Sequence, residues 1–470
     1  MSKKTKRIIL VVAILQILLI AAILALPKVV LAIPGRYRVA LSERSPFLSD
    51  ITEGVIEQVA PVAHSLPAPE NISSLPRVTI PSVNRTPATA ALEPESNEPT
   101  GSLPTSPESQ VGSENDSQLL LNETLPTSTP LPTLTPTVTP TPEPLPAKVR
   151  LEGINRIQQS FNNCGPANLT QVLNWHGDET TQAEAAAYLK PNPEDRNVSP
   201  WQLSDYVNDF TSLRSTVHSN GTMEILKQLL AAGFPVVIEK GYEPETLSSQ
   251  GWYGHYLTVF GYDDDEQVLY SMDSYIKVDP VNGRADSYDE FERYWQEFNY
   301  NFYVVYEPDQ EAKVSAILGS ELLEPLKMWE NAAIRAQEEI ELEPENAFAW
   351  FNLGTSLTRI GELIGDSDFY SNGAAAFDQA LAIGLPPRML WYEFRPYLAY
   401  MKMGRYDDMI ALSDAVFATQ GGLNVEETYL YRGHALLFQG DVAGATAAYE
   451  RALQLNENFY PAEIALQSLN

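Results

Sequence analysis

The spacing of apolar positions divides the chain into four stretches. Residues 8–26, IILVVAILQILLIAAILAL, are apolar at every position but Gln16, and such a run predicts a membrane helix, since a bilayer core takes roughly 20 apolar residues. From about residue 60 to 148 the pattern is lost. NRTPATAALEPESNEPTGSLPTSPESQ and TLPTSTPLPTLTPTVTPTPEPLP are rich in Pro, Thr, Ser and Glu and poor in aromatics, so they offer too little apolar surface to offset the entropy of ordering them. They read as a disordered Pro/Thr stalk, semi-extended at ~3.1 Å per residue where it adopts polyproline geometry. Periodicity returns near residue 149. CGPANLTQVLNWHG, 164–177, predicts a helix with Pro166 in its first turn, Leu169, Val172 and Leu173 as an inward stripe, and Gly177 as its stop. His255–Tyr262 alternates as a strand, DDDE makes a turn, and QVLYSMD returns as a second strand. Beyond about residue 315 the pattern is helical throughout.

The flanks of the first apolar run give it an orientation. KKTKR, 3–7, precedes it, and a basic flank stays in the cytoplasm, which sends everything after about residue 30 outside. The expectation is a single-pass cell-membrane protein with its bulk extracytoplasmic. VVLA before Ile33 would suit a signal peptidase, but the apolar run exceeds the ~7–15 residues of a signal core. An uncleaved anchor over residues 1–33, with a stalk over 34–148, is therefore expected ahead of a cleaved signal sequence. With 44% hydrophobic residues in 470 the rest can bury a sizeable core in two or three domains. The net charge of -30, with no basic cluster beyond the first seven residues, excludes nucleic acid as the main partner.

The chain has one cysteine, Cys164, too few for an intramolecular disulfide or a thiolate zinc site. At a predicted helix N-terminus its thiol meets unpaired amides and the positive end of the helix dipole, which favour thiolate. The competing reading is a buried, inert thiol. A thiolate nucleophile needs a base, and there are five histidines. His64 lies in the stalk, His434 in the C-terminal helices, and His176 twelve residues along the same helix, roughly 18 Å away at the helical rise. His218, in TVHSNGT, and His255 remain. Asp273 shares a sheet face with His255 if the intervening loop has three or five residues, whereas a four-residue loop puts it on the other face. In the favourable register its carboxylate accepts the second imidazole N–H and fixes the ring's tautomer and orientation. Otherwise His255 is a core-facing strand residue and Asp273 caps a loop.

NNCGPANLTQVL, LLAAGFPVVIEKG, GHYLTVFGYDDD and the aspartate of SMDSY resemble the C39-like, papain-type cysteine peptidase family over roughly residues 150–308. Its members include bacteriocin-leader peptidases that cut after paired glycines. The resemblance implies an α+β papain-like domain over 149–310, acting on a peptide or protein substrate without cofactor or metal. It implies Cys164 as nucleophile, His255 as general base and acid, and Asp273 as the orienting residue. It also implies an oxyanion-hole glutamine five or six residues before the cysteine, where Gln158 and Gln159 both stand, with Gln159 preferred. Leader peptidases are cytoplasmic and fused to ABC transporters, whereas this chain has no Gly-Lys dipeptide and hence no Walker loop. Its peptidase-like stretch is also expected outside the membrane, so the paired-glycine specificity is not carried over.

YLYRGHALLFQGDVAGATAAYERALQLNENF matches the tetratricopeptide pattern at Tyr429, Gly433, Leu436, Gly440, Ala445, Tyr449 and Ala452. Gly404 and Gly440, both expected in turns, are 36 residues apart, against about 34 for this repeat. An earlier, looser copy takes an insertion of about seven residues after Gly361, and WENAAIRAQEEIELEPEN reads as half of another. The resemblance implies an all-α solenoid over 315–470 that binds a peptide or protein partner in its groove, the alternative being a spacer. Three readings of the whole chain follow: a membrane-anchored extracytoplasmic cysteine peptidase, an inactive binding scaffold of the same shape, and an enzyme that transfers acyl groups to amines.

Overall fold

A computed structural model of the protein describes residues 144–243 and 251–469, together with 16, 37 and 65–69. The expected anchor and nearly all of the expected stalk lie outside the described residues. Among the described residues no helix is long and apolar enough to cross a membrane.

The first region is a seven-stranded antiparallel sheet with helices on both faces. In chain order its elements are β1 (Lys148–Arg150), α1 (Cys164–Trp175), α2 (Gln182–Leu189), α3 (Pro200–Phe210), β2 (Arg214–His218), α4 (Met223–Ala231), β3 (Val236–Tyr242), β4 (Tyr253–Asp263), β5 (Val268–Asp273), β6 (Arg284–Ser287), α5 (Tyr288–Gln296) and β7 (Phe302–Tyr306). The strands lie in the order β2-β7-β3-β4-β5-β6, with β1 beside the end of β4. Successive strand residues face opposite sides, as the pleat requires. Val237, Tyr256, Tyr303 and Val305 pack with apolar residues of α1, α2 and α3, while Val236, Ile238, Leu257, Val259 and Val304 pack with those of α4 and α5. Coverage on both sides explains why β4 is buried along nearly its whole length.

The register of β4 on β5 differs from the one that loop length alone implies. Asp263 pairs with Val268, so the loop has four residues, 264–267. Continued unbroken, that register would set Asp273 opposite Thr258, on the wrong face for His255. Between Val259 and Gly261 the pairing shifts by one residue at Phe260, a β-bulge that reverses the phase of everything beyond it. Past the bulge Asp273 pairs with Leu257, and so returns to the face of His255. Gly261 lets β1 close on the strand at this point, since a Cβ there would come 2.5 Å from the carbonyl oxygen of Val149.

The second region is a helical array: α6 (Glu311–Leu323), α7 (Pro325–Leu342), α8 (Ala347–Ile364), α9 (Ser367–Ile383), α10 (Arg395–Lys402), α11 (Tyr406–Ala418), α12 (Glu426–Phe438), α13 (Val442–Leu455) and α14 (Tyr460–Gln467). Two hairpins close in the same way, with a glycine of one helix under an aromatic ring of the next. A Cβ on Gly354 would stand 2.7 Å from the Phe377 ring, and one on Gly433 2.3 Å from the Tyr449 ring. Gly404 and Gly440 occupy turns at φ 68° and 86°. The extra residues after Gly361 lengthen helices rather than form a loop, for α8 runs on to Ile364 and turns at Gly365, φ 73°.

The array and the sheet region share one apolar cluster, in which Trp252 and Phe298 join Phe351, Phe377, Tyr392 and Tyr397. Trp252 stacks on Phe298 at 5.7 Å, and Tyr392 meets both rings edge-on. A second clamp is polar: Asn456 and Asn458 donate through Nδ2 to the carbonyls of Leu189 and Tyr188, at 3.2 and 2.9 Å.

Candidate active site

Cys164 is the first residue of α1 and is half-buried. The turn that delivers it carries a left-handed residue, Asn162, at φ 56°. Three side chains hold that turn: Gln182 accepts from the Ser160 N–H at 2.8 Å, Asn162 Nδ2 donates to Asp195 O at 3.1 Å, and the buried Lys190 ammonium donates to the carbonyls of Asn162 and Asp195 at 2.8 and 2.9 Å. Pro166 suits the first turn because its missing N–H would have no helical partner there.

His255 stands on β4 two residues before Leu257, the partner of Asp273, and opposite Lys240 of β3. Its Nε2 is 2.9 Å from Asp273 Oδ1, with both side chains buried. The Cys164 thiol and the same ring are near enough to shift each other's ionisation, and with Nε2 engaged by Asp273, Nδ1 is the ring nitrogen left for the sulfur. Asp273 Oδ1 also accepts the backbone N–H groups of Tyr275 and Ile276 at 2.8 and 3.0 Å, and Oδ2 accepts from Arg284 at 3.3 Å. Arg156 straps the chain after β5, donating to the carbonyls of Asp273 and Ile276 at 2.7 and 2.8 Å.

These contacts set the charges. Burial opposes ionisation of Cys164, but the hydrogen bond and charge of His255, with smaller help from the Tyr256 backbone and Lys190, hold the thiol below its ordinary value. Burial alone would lower His255; the charge and hydrogen bond of Asp273, followed by those of Cys164, raise it to about 9. Burial would raise Asp273, and the same His255 contacts with two backbone N–H groups hold it well below the carboxylate range. The three groups therefore favour thiolate, imidazolium and carboxylate together.

The two candidate glutamines separate. Gln158 is exposed, and its Oε1 accepts from Arg156 at 2.6 Å. Gln159 is half-buried beside Ser274: its backbone N–H donates to Ser274 O at 2.9 Å, and its Oε1 accepts from the Ser274 hydroxyl at 2.8 Å. That bond fixes the amide and leaves its Nε2 as a donor. His218 sits far from this group on the edge strand β2, with Nδ1 against Leu322 O at 3.2 Å and burial pushing it down to about 4. His176 is held by Val305 O and His434 by the Tyr449 hydroxyl.

Sequence reasoning missed the buried network beneath the site. Asn168 Nδ2 donates to Cys164 O, Tyr256 O and Ser274 Oγ, while its Oδ1 accepts from Gln171 and Thr258. Gln171 Oε1 accepts from the Ile157 N–H at 2.9 Å. Asn168 and Gln171, three apart on α1, interleave with the apolar stripe; two amides on a buried helix face were the available signal. The network ties the helix of Cys164 to the strand of His255 and, through Ser274, to Gln159.

Residues 151–302 match the model of the Peptidase_C39 like family. A crystal structure from Bacillus anthracis described as that of a C39-like peptidase aligns with 34% of this chain and 96% of its own, at 17% identity and a TM-score of 0.28. No curated protein matches the chain significantly. The matched stretch contains Cys164, His255 and Asp273, and the match supports a cysteine-peptidase-type fold for that region.

Proposed function

We propose that the protein is a membrane-anchored, extracytoplasmic cysteine peptidase. The observation that carries the catalytic part is the His255 imidazole held by Asp273 Oδ1 at 2.9 Å and near enough to the Cys164 thiol to favour its ionisation. Cys164 attacks the scissile carbonyl as thiolate; His255, holding the proton, gives it to the leaving amine and then deprotonates the water that hydrolyses the acyl-enzyme. Asp273 keeps the ring oriented and stabilises its charge. The Cys164 N–H and Gln159 Nε2 are the expected donors to the oxyanion. The helical array presents protein partners or substrates to this site, and the apolar run at 8–26 fixes the chain in the membrane.

Incubation of the full chain with a library of unstructured peptides, followed by mass analysis of products, tests the chemistry. New N-termini that appear with the native protein and not with Cys164→Ala support hydrolysis. Products that carry an added amine in place of water would point to acyl transfer, and no products would favour the scaffold reading. Protease added to spheroplasts tests the topology: release of a soluble fragment containing both folded regions is expected, and full protection until the membrane is dissolved contradicts it.

A further inference from the structure

A piece of chain remote in sequence from both regions is built into the helical array. Ser65–Pro69 has no helix or strand of its own, and Leu66, 2% exposed, belongs to the same apolar cluster as Leu381, Leu385 and Val416. Its N–H donates to the carbonyl of Leu385 at 3.0 Å. Leu385 follows Gly384, which caps α9 at φ 122° and whose Cβ position would be 3.8 Å from that of Ser65. That conformation favours glycine, and it turns the Leu385 carbonyl out of the helical ladder to a partner outside the array. The contact lies between the C-terminal ends of α9 and α11, the second helices of successive hairpins. A cavity of ≈ 480 Å³ extends beside it, lined by the segment itself and by Ile383, Pro387, Ala415 and Ala418 among others.

The chemistry of the segment suits the place. Leucine supplies one apolar knob and one N–H. The proline after it has no N–H to leave unsatisfied, and its fixed φ lowers the entropy cost of holding the segment in place. The tripeptide Ser-Leu-Pro occurs at 65–67 and again at 74–76 and 102–104.

We propose that the array carries a docking pocket for a Ser-Leu-Pro peptide, filled in the native protein by Ser65–Pro69 of the same chain. The segment enters as a strap whose Leu66 side chain and N–H make the two specific contacts. This assignment is independent of the catalytic reading.

The test uses the full chain in detergent, with a specific-protease site inserted between residues 110 and 111. After cutting, the N-terminal piece should co-elute with the folded piece on size exclusion. An excess of synthetic AHSLPAPE, residues 63–70, should release it, and the same peptide with Leu66→Asp should not. Leu66→Asp in the chain should abolish co-elution, and because that substitution lies in the other piece, the folded piece is unaltered and its melting curve is the control. Separation of the wild-type pieces without competitor, or retention unaffected by Leu66→Asp or by the peptide, overturns the proposal.

Discussion

The sheet region and the helical array fix their geometry by different means. Around Cys164 the sheet region buries Asn168, Gln171, Thr258, Asp273 and Ser274, each no more than 1% exposed and each bonded within the network or to nearby backbone. The array sets the distance between paired helices by a glycine under a ring, Gly354 with Phe377 and Gly433 with Tyr449. Hydrogen bonds constrain direction as well as distance, whereas glycine–aromatic packing constrains distance alone. Aligning a sulfur, an imidazole and a carboxylate requires the first kind; stacking helices requires only the second. Substitutions of Cys164 and Gln159 should therefore alter chemistry at nearly constant stability, and those at the glycine–aromatic contacts of the second region should do the reverse.

The largest break in that pairing is expected at Cys164. Cys164→Ala should lower peptide turnover by about 10⁴-fold or more and leave the melting temperature nearly unchanged. Next comes Asp273→Asn, expected to cost on the order of 10³–10⁴-fold in kcat because the amide presents N–H to the imidazole and stabilises the wrong tautomer. Circular dichroism should be unaltered, and an unchanged kcat would show that another group orients His255. Gln159→Ala should cost about 10²–10³-fold, the typical loss of one oxyanion donor, with little effect from Gln158→Ala; equal losses would remove the distinction between them. The smallest effect on chemistry is expected from Gly433→Ala, which forces the Tyr449 ring to move. It should destabilise the protein by about 1–3 kcal/mol in denaturant titration, with kcat per folded molecule unchanged.

The pH profile sharpens the same contrast, because only the first region carries the titrating pair. In the proposed mechanism the active form needs Cys164 deprotonated and His255 protonated. Activity should therefore rise as pH passes through the lowered thiol value and fall as it passes through about 9. The stability linkage has a matching sign. His255 holds its proton more tightly folded than unfolded, so its contribution is full below the ordinary histidine value and is lost as pH rises through about 9.

Much of this arrangement was legible in local pattern. The helix at Cys164, with Leu169, Val172 and Leu173 buried and Gly177 past its end, follows the spacing of apolar residues, and the turn glycines of the array follow the repeat pattern. The register of Asp273 was not legible, because it depends on loop length and on the bulge at Phe260 together, and bulges have no strong local signature. Nor was the network of Asn168 and Gln171, since an amide inside an apolar stripe can equally face solvent until its strand partner is known. What separates Gln159 from Gln158 is its contact with Ser274, 115 residues further along the chain. Position in sequence carries no trace of that contact.

Alkylation of the native protein with iodoacetamide as a function of pH tests the central claim, that Cys164 is a nucleophile paired with His255, without needing a substrate. With one cysteine in the chain, the labelling rate reports that sulfur alone. Wild-type protein should label rapidly, with a midpoint below the ordinary thiol value, and His255→Ala should move the midpoint up toward that value. Labelling that requires denaturant, or a midpoint indifferent to His255, would contradict the account and leave Cys164 a buried, inert thiol.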